Sequence, residues 1–168
     1  FEIRFHELRE EEEAIDFAPY TIEAYRVNHR VTCYGYRIGI ARKGKFHPER
    51  AREQNIPLKF WNRLQHGEHV VDGEHTYTPD MVMGEARKGI LVNYCTDTRP
   101  VPVIAKYAAG CDLFICEGMY GEDDKENNAL VYKHMTMAEA AKIAAAANPK
   151  QMWFTHYSPS LNFPEEYM

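Results

Sequence analysis

The sequence predicts an α/β protein, with antiparallel strands first, a basic insertion next and a βαβαβ run last. Three observations carry that reading. Upstream of residue 41, apolar residues recur in strand-like runs broken by polar stretches. Downstream of residue 90, short apolar runs alternate with helical patterns. Between them lies a stretch rich in Lys and Arg.

Phe1, Ile3 and Phe5 alternate with polar residues and predict a strand at the start, and the charge run Glu10 to Glu13 predicts a solvated turn or loop. Tyr20 to Val27 and Val31 to Ala41 read as two strands separated by Asn28-His29-Arg30. Short helical patterns near 48–54 and 59–65 follow, with Gly67 as a stop. Val70-Val71-Asp72-Gly73-Glu74 has the chemistry of a hairpin or tight turn. Ile90 to Cys95 is the next strand. Pro100 suits the first turn of a helix over Val103 to Ala109, and Gly110 suits its stop. Leu113 to Cys116 is a further strand. Thr136-Met137-Ala138-Glu139 is a capping box that opens an alanine-rich helix ending near Asn148-Pro149, and a strand over 151–155 follows. Phe163 to Met168 reads as the start of a further helix, and both chain ends look cut.

A length of 168 residues suits one domain, and a hydrophobic content of 45% is ordinary for a globular protein. No apolar run approaches the roughly 18–20 residues that span a bilayer, and Phe1-Glu2-Ile3-Arg4 lacks the order of a signal peptide. Cys33, Cys95, Cys111 and Cys116 form no CxxC pair and read as small buried hydrophobes in a reducing compartment, which points to the cytoplasm. The net charge of −5 argues against nucleic acid as a partner, but its distribution argues for it. Residues 41–66 hold Arg42, Lys43, Lys45, Arg50, Arg52, Lys59 and Arg63 against Glu49 and Glu53, a local +5 on a body of −10. A phosphate-binding patch and a solvated loop both account for that charge.

Asp97, Glu117 and His156 each follow an apolar run, His29 lies between two strands, and His134 sits on a connecting segment. Residues just past strand ends line the crevice where α/β sheets bind ligands. Imidazole and carboxylate are the usual ligands of a catalytic zinc, so the set predicts a metal hydrolase site. Spacing alone is a weak guide, because eight histidines offer many such triples. His6, His47, His66, His69 and His75 take ordinary surface or core roles, and Asp97 suits equally well an N-cap for a helix opening at Pro100.

Five ordered motifs carry a family resemblance. His29-Arg30-Val31-Thr32-Cys33-Tyr34-Gly35-Tyr36-Arg37 resembles the third metal-ligand motif of ribonuclease Z, the transfer-RNA 3′-processing endonuclease of the metallo-β-lactamase superfamily. Cys95-Thr96-Asp97-Thr98-Arg99-Pro100 resembles its bridging-aspartate motif. Cys116-Glu117-Gly118-Met119 stands where the family has His-Glu-Ala-Thr, and His134-Met135-Thr136 where it has His-Ser-Thr. Thr155-His156-Tyr157-Ser158-Pro159 resembles the last metal motif.

The resemblance implies an αββα sandwich of which this chain is roughly the second half, with an inserted arm over 41–75. It implies a zinc-dependent endoribonuclease that removes the 3′ trailer of precursor transfer RNA and works as a homodimer. His29 would bind one zinc, His156 the other, and Asp97 would bridge them. His134 would protonate the departing 3′ oxygen, with Glu117 orienting it. The cations Arg42, Lys43, Lys45, Arg50, Arg52, Lys59 and Arg63 would grip transfer RNA. Two departures stand out. Ile56-Pro57-Leu58-Lys59-Phe60-Trp61 replaces the arm's usual glycine-proline pair, with Phe60 and Trp61 packing beneath it. Nothing in the 168 residues matches the family's first motif, His-x-His-x-Asp-His. The expectation is therefore an internal fragment that folds poorly, binds zinc weakly and is inactive alone. A small-substrate hydrolase of the same superfamily and a non-catalytic RNA-binding remnant are the other readings.

Overall fold

The structure, a computed structural model, describes residues 1–121 and 125–167. Three parallel strands, β6 (Arg87–Cys95), β7 (Leu113–Glu117) and β8 (Met152–Thr155), stand side by side in one half of a six-stranded sheet. Their register pairs Cys95 with Cys116, Cys116 with Phe154, and Glu117 with Thr155. All three chains therefore leave the sheet at one edge. The other half is the antiparallel set β1 (Glu12–Phe17), β2 (Tyr20–Val27) and β3 (Cys33–Arg42), and the strand order is β1-β2-β3-β6-β7-β8. A bridge between Asn28 and Arg99 brings the β2–β3 connection to the same edge as the end of β6.

The helices α3 (Pro102–Ala108) and α5 (Met137–Ala147) cover one face of this sheet. The core there contains Tyr25, Ile104, Tyr107, Phe114, Met135 and Ile143. Tyr25 stacks on Tyr107 at 4.5 Å, and its hydroxyl and the Asn93 amide hydrogen-bond within 2.8–3.1 Å. Only glycine fits at Gly35, because a Cβ there would lie 2.3 Å from the Tyr25 ring. Burying such side chains stabilises by about 1.5–3 kcal/mol each. The opposite face is less covered: Tyr94 of β6 is 41% exposed and Trp153 of β8 is 58% exposed.

The capping box at Thr136 and Glu139 forms as expected and opens α5, which closes at Asn148 in the left-handed conformation. Between it and β7 lies α4 (Glu126–Tyr132). Four local expectations are corrected. Residues 1–9 form no strand, and Phe1, Ile3 and Phe5 are exposed. The run Glu10–Glu13 does not stay a loop, because Glu12 and Glu13 enter β1 and pair with Tyr25 and Ala24. Pairing with a neighbouring strand outweighs the low strand propensity of glutamate. The helix expected at Pro100 starts at Pro102, with Val101 as N-cap. Pro164–Tyr167 is a single 3-10 turn rather than the start of a longer helix, and Met168 lies outside the described residues.

Residues 41–89 form a second compact unit. It contains α1 (Pro48–Glu53), α2 (Leu58–Gln65) and the hairpin β4 (Val70–Asp72) to β5 (His75–Tyr77), turned at Gly73. Its own small core joins Ala51, Ile56, Phe60, Leu64, Val70 and Val82. Phe60 and Trp61 pack as expected. Trp61 lies 5.4 Å from Phe46 and donates its ring N–H to the Ile56 carbonyl at 2.9 Å, and Phe60 lies 5.8 Å from Tyr77.

Candidate metal centre

The sheet edge gathers the five residues singled out in the first unit: His29, Asp97, Glu117, His134 and His156. Asp97 follows β6 and His156 follows β8, both with positive φ (55° and 58°). Non-glycine residues rarely adopt this conformation, which costs of order 1–3 kcal/mol and concentrates at functional sites. The two carboxylate oxygens of Asp97 face different histidines. Oδ1 lies 3.2 Å from His156 Nε2 and Oδ2 lies 3.9 Å from His29 Nε2. The His134 ring sits between them, 4.9 Å from the His29 ring and 5.2 Å from the His156 ring. One donor atom each from Asp97, His134 and His156 falls within 4.8 Å of the others.

Hydrogen bonds fix which ring nitrogens face the cluster. His29 Nδ1 donates to the Lys133 carbonyl at 3.0 Å, leaving Nε2 with its lone pair toward Asp97. His134 Nδ1 donates to the Glu117 carboxylate at 3.1–3.2 Å, which likewise leaves Nε2 open. Glu117 is fully buried at the end of β7. It also accepts the N–H of Thr98 at 2.5 Å and of Met135 at 3.1 Å, tying together the loops that carry Asp97 and His134. Burial lifts its carboxyl to about 7 against the opposing pull of those two amides. Burial also holds His134 below its ordinary 6.5, with nearby Asp97 pulling the other way.

Two imidazole Nε2 atoms and a carboxylate offering one oxygen to each make a donor set that fits divalent metal ions of the zinc type. Among the described residues no cysteine joins this group, and burial pushes the Cys95 thiol up to about 12 and Cys116 well above its ordinary value. The alternative role of Asp97 as a helix N-cap does not occur, since Val101 caps α3.

Sequence reasoning missed the residues that brace this site. Arg99 donates to the His134 carbonyl at 2.7 Å and forms a two-pronged ion pair with Glu139. Glu139 in turn accepts the Thr136 N–H at 2.9 Å. Thr98 accepts the Asn28 N–H at 3.1 Å, anchoring the connection that carries His29. The capping box and the Arg99-Pro100 pair were visible in the sequence, but no local pattern signals that they meet.

The remaining histidines take ordinary roles where a partner is recorded: His6 pairs with Glu13, His47 with Glu49 at 2.7 Å, and His66 with the Asn62 carbonyl at 2.7 Å. The seven cations proposed to bind RNA are all exposed and lie at the start of or within 41–89. Lys59 pairs with Asp72 at 3.4 Å and Arg63 with Glu68 at 2.7 Å. Lys43 donates to the His66 carbonyl and Arg50 to that of Met83, while Arg52 lies over the Trp61 ring. Over the whole 41–89 unit, nine Lys and Arg face seven Asp and Glu, so the local +5 falls to +2.

Residues 57–157 match the family model of the beta-lactamase superfamily domain. Among curated relatives, the ribonuclease Z of Lachnospira eligens is 56% identical over all 168 residues, which cover 55% of its length. That of Lachnoclostridium phytofermentans is 52% identical with the same coverage, and that of Clostridium acetobutylicum is 49% identical over 147 residues, 88% of this chain and 48% of its own. The chain thus spans about half the length of the curated relatives it matches. Among solved structures, the metallo-beta-lactamase fold protein YhfI from Bacillus subtilis aligns with a TM-score of 0.54 at 21% identity, covering 92% of this chain and 43% of that one. The short form of human tRNase Z aligns with a TM-score of 0.54 at 17% identity, covering 88% and 40%. At these identities the structures speak for the fold alone.

Proposed function

Because the chain belongs to the beta-lactamase superfamily, we propose that its strand-end cluster is part of the metal centre of a ribonuclease Z, which removes the 3′ trailer of precursor transfer RNA. The observation that carries this reading is the Asp97 carboxylate with one oxygen toward His156 and the other toward His29, beside the His134–Glu117 pair. Two zinc ions bound there would supply Lewis acidity and a nucleophile drawn from water at neutral pH. His29, His156 and the shared Asp97 carboxylate would hold these ions. His134, whose Nδ1–H is held by Glu117, would take up a proton from solvent at Nε2 and give it to the departing 3′ oxygen. Glu117 does not touch the reacting atoms. It acts by positioning His134, and through Thr98 and Met135 the two loops.

The inserted arm over 41–75, which lies within the compact unit 41–89, meets the transfer-RNA backbone, and the exposed Arg42 and Lys45 support this. Free cysteines, three of them buried, fit a reducing cytoplasm. A homodimer follows from the resemblance alone, and light scattering tests it. With one carboxylate and few imidazoles to serve two ions, the 168 residues by themselves hold zinc weakly and do not cut.

The test is cleavage of a 3′-extended transfer-RNA precursor with added zinc, using this chain alone and this chain joined to the amino-terminal part of the Lachnospira eligens relative. Cleavage by the joined protein only is the expected result. Cleavage by the chain alone would overturn the account of its ligand set. If neither cuts but the joined protein hydrolyses a small phosphodiester, the small-substrate reading replaces the transfer-RNA one; salt-dependent RNA binding without either activity favours the remnant.

A further inference from the structure

We propose that Arg30 and Lys133 form a phosphate subsite beside the histidine cluster, which takes a backbone phosphate of an RNA strand. The proposal deepens the ribonuclease reading and rests on it. Arg30 directly follows His29, and Lys133 directly precedes His134, the two histidines whose rings lie 4.9 Å apart. Asn28, His29, Arg30, Thr32 and Lys133 line one groove of this unit.

Both cations are held in place by neutral groups. Arg30 donates to the Val131 carbonyl at 2.8 Å, and its guanidinium lies 5.1 Å over the Tyr132 ring. Lys133 Nζ donates to Asn28 Oδ1 at 3.1 Å and to the His29 carbonyl at 3.3 Å, which leaves one of the three ammonium hydrogens unused. Among the described residues neither side chain is paired with a carboxylate. Arg26, in the same groove, shows the contrast, because Glu11 neutralises it at 2.7 Å.

Lys133 also adopts a positive φ of 59°, a backbone conformation rare for lysine. Its carbonyl thereby meets His29 Nδ1 while its own ammonium meets the 28–29 backbone and side chain. If bracing His29 were the whole task, a neutral donor would suffice. Two pre-positioned positive charges that pair with no carboxylate among the described residues, in a groove they share with His29, suit an anion instead. Arg30 and Lys133 offer the donors a phosphate oxygen accepts, and Thr32 lines the same groove. An RNA strand is the occupant favoured over a free nucleotide, because it carries further phosphates on both sides of a cut made at Asp97.

The experiment measures binding of the joined protein to a fluorescein-labelled RNA hairpin with a single-stranded 3′ tail, by anisotropy across a potassium chloride series. Each phosphate contact contributes about 0.7 to the slope of log affinity against log salt for a single strand. The double variant Arg30→Gln/Lys133→Gln should flatten the slope by about that amount, each single variant by part of it, and Arg30→Lys should keep it. Weaker binding with an unchanged slope would show that these residues only brace His29, and it overturns the subsite while leaving the ribonuclease reading standing. Slopes equal to the unsubstituted protein's, with equal affinity, do the same. Failure of the unsubstituted joined protein to bind the RNA at any salt concentration overturns both.

Discussion

At the sheet edge Glu117 is fully buried and meets three donors from two loops, whereas in the 41–89 unit Lys59 is exposed and meets Asp72 at 3.4 Å and the face of the Phe60 ring at 4.5 Å. The same chemistry of opposite charge and hydrogen bonding therefore has different consequences in the two places. In the buried setting, losing one partner strands the others away from water, and the penalty is that of unsatisfied polar groups. In the exposed setting water replaces the partner at little cost. Precision at the site comes from interlocked burial, and the surface charge of 41–89 stays available for other contacts.

The largest effect that would sharpen this contrast is Glu117→Ala. It leaves the Thr98 and Met135 amides and His134 Nδ1 without their acceptor, and should cost about 3–5 kcal/mol in urea unfolding of the joined protein. A loss below about 1 kcal/mol would break the comparison. Next comes Leu64→Ala, in the fully buried core of 41–89. It should cost about 2–4 kcal/mol, and hydrogen exchange should show protection lost over 41–89 and kept in β6, β7 and β8. Equal loss in both units would mean that they unfold as one.

Arg99→Ala removes the half-buried ion pair to Glu139 and the bond to the His134 carbonyl. We expect about 2 kcal/mol of stability lost and cobalt affinity of the joined protein down about tenfold or more. Lysine should restore little of it, since it cannot reproduce the two-pronged contact.

A smaller effect separates the exposed edge of the first unit from its site. Hydrogen bonds from Lys106 and Tyr107 hold the Glu12 carboxyl below its ordinary 4.5. A depressed carboxyl stabilises the fold above the ordinary value and loses that contribution as pH falls through the depressed one. Glu12→Gln should therefore lower Tm at pH 7 and leave it unchanged near pH 3. The same drop at both pH values would show that charge is not the cause. The smallest change is Lys59→Gln, expected at about 0.5 kcal/mol or less and vanishing in high salt.

Much of this molecule was legible one segment at a time. The capping box at Thr136 and Glu139, the glycine turn at Gly73 and the apolar runs of β2, β6, β7 and β8 depend on residues a few positions apart. The five site residues were legible as well, through strand ends and the family resemblance, and they converge. Phe1, Ile3 and Phe5 misled because alternation marks a strand only where another strand offers hydrogen bonds, and Glu12–Phe17 found that partner instead.

By itself, then, the sequence determined most of the strands and helices around the site, because caps, breakers and periodicity act over one or two turns of chain, and it singled out five polar side chains that meet at one sheet edge. Only the tertiary structure decided how those side chains are aimed. The His29 ring is fixed by a carbonyl 104 residues away, Glu117 joins loops 19 residues before it and 18 after, and Arg99 reaches Glu139 across 40. Such contacts arise when packing brings distant segments together and excludes water from the groups they share, and no local pattern encodes them.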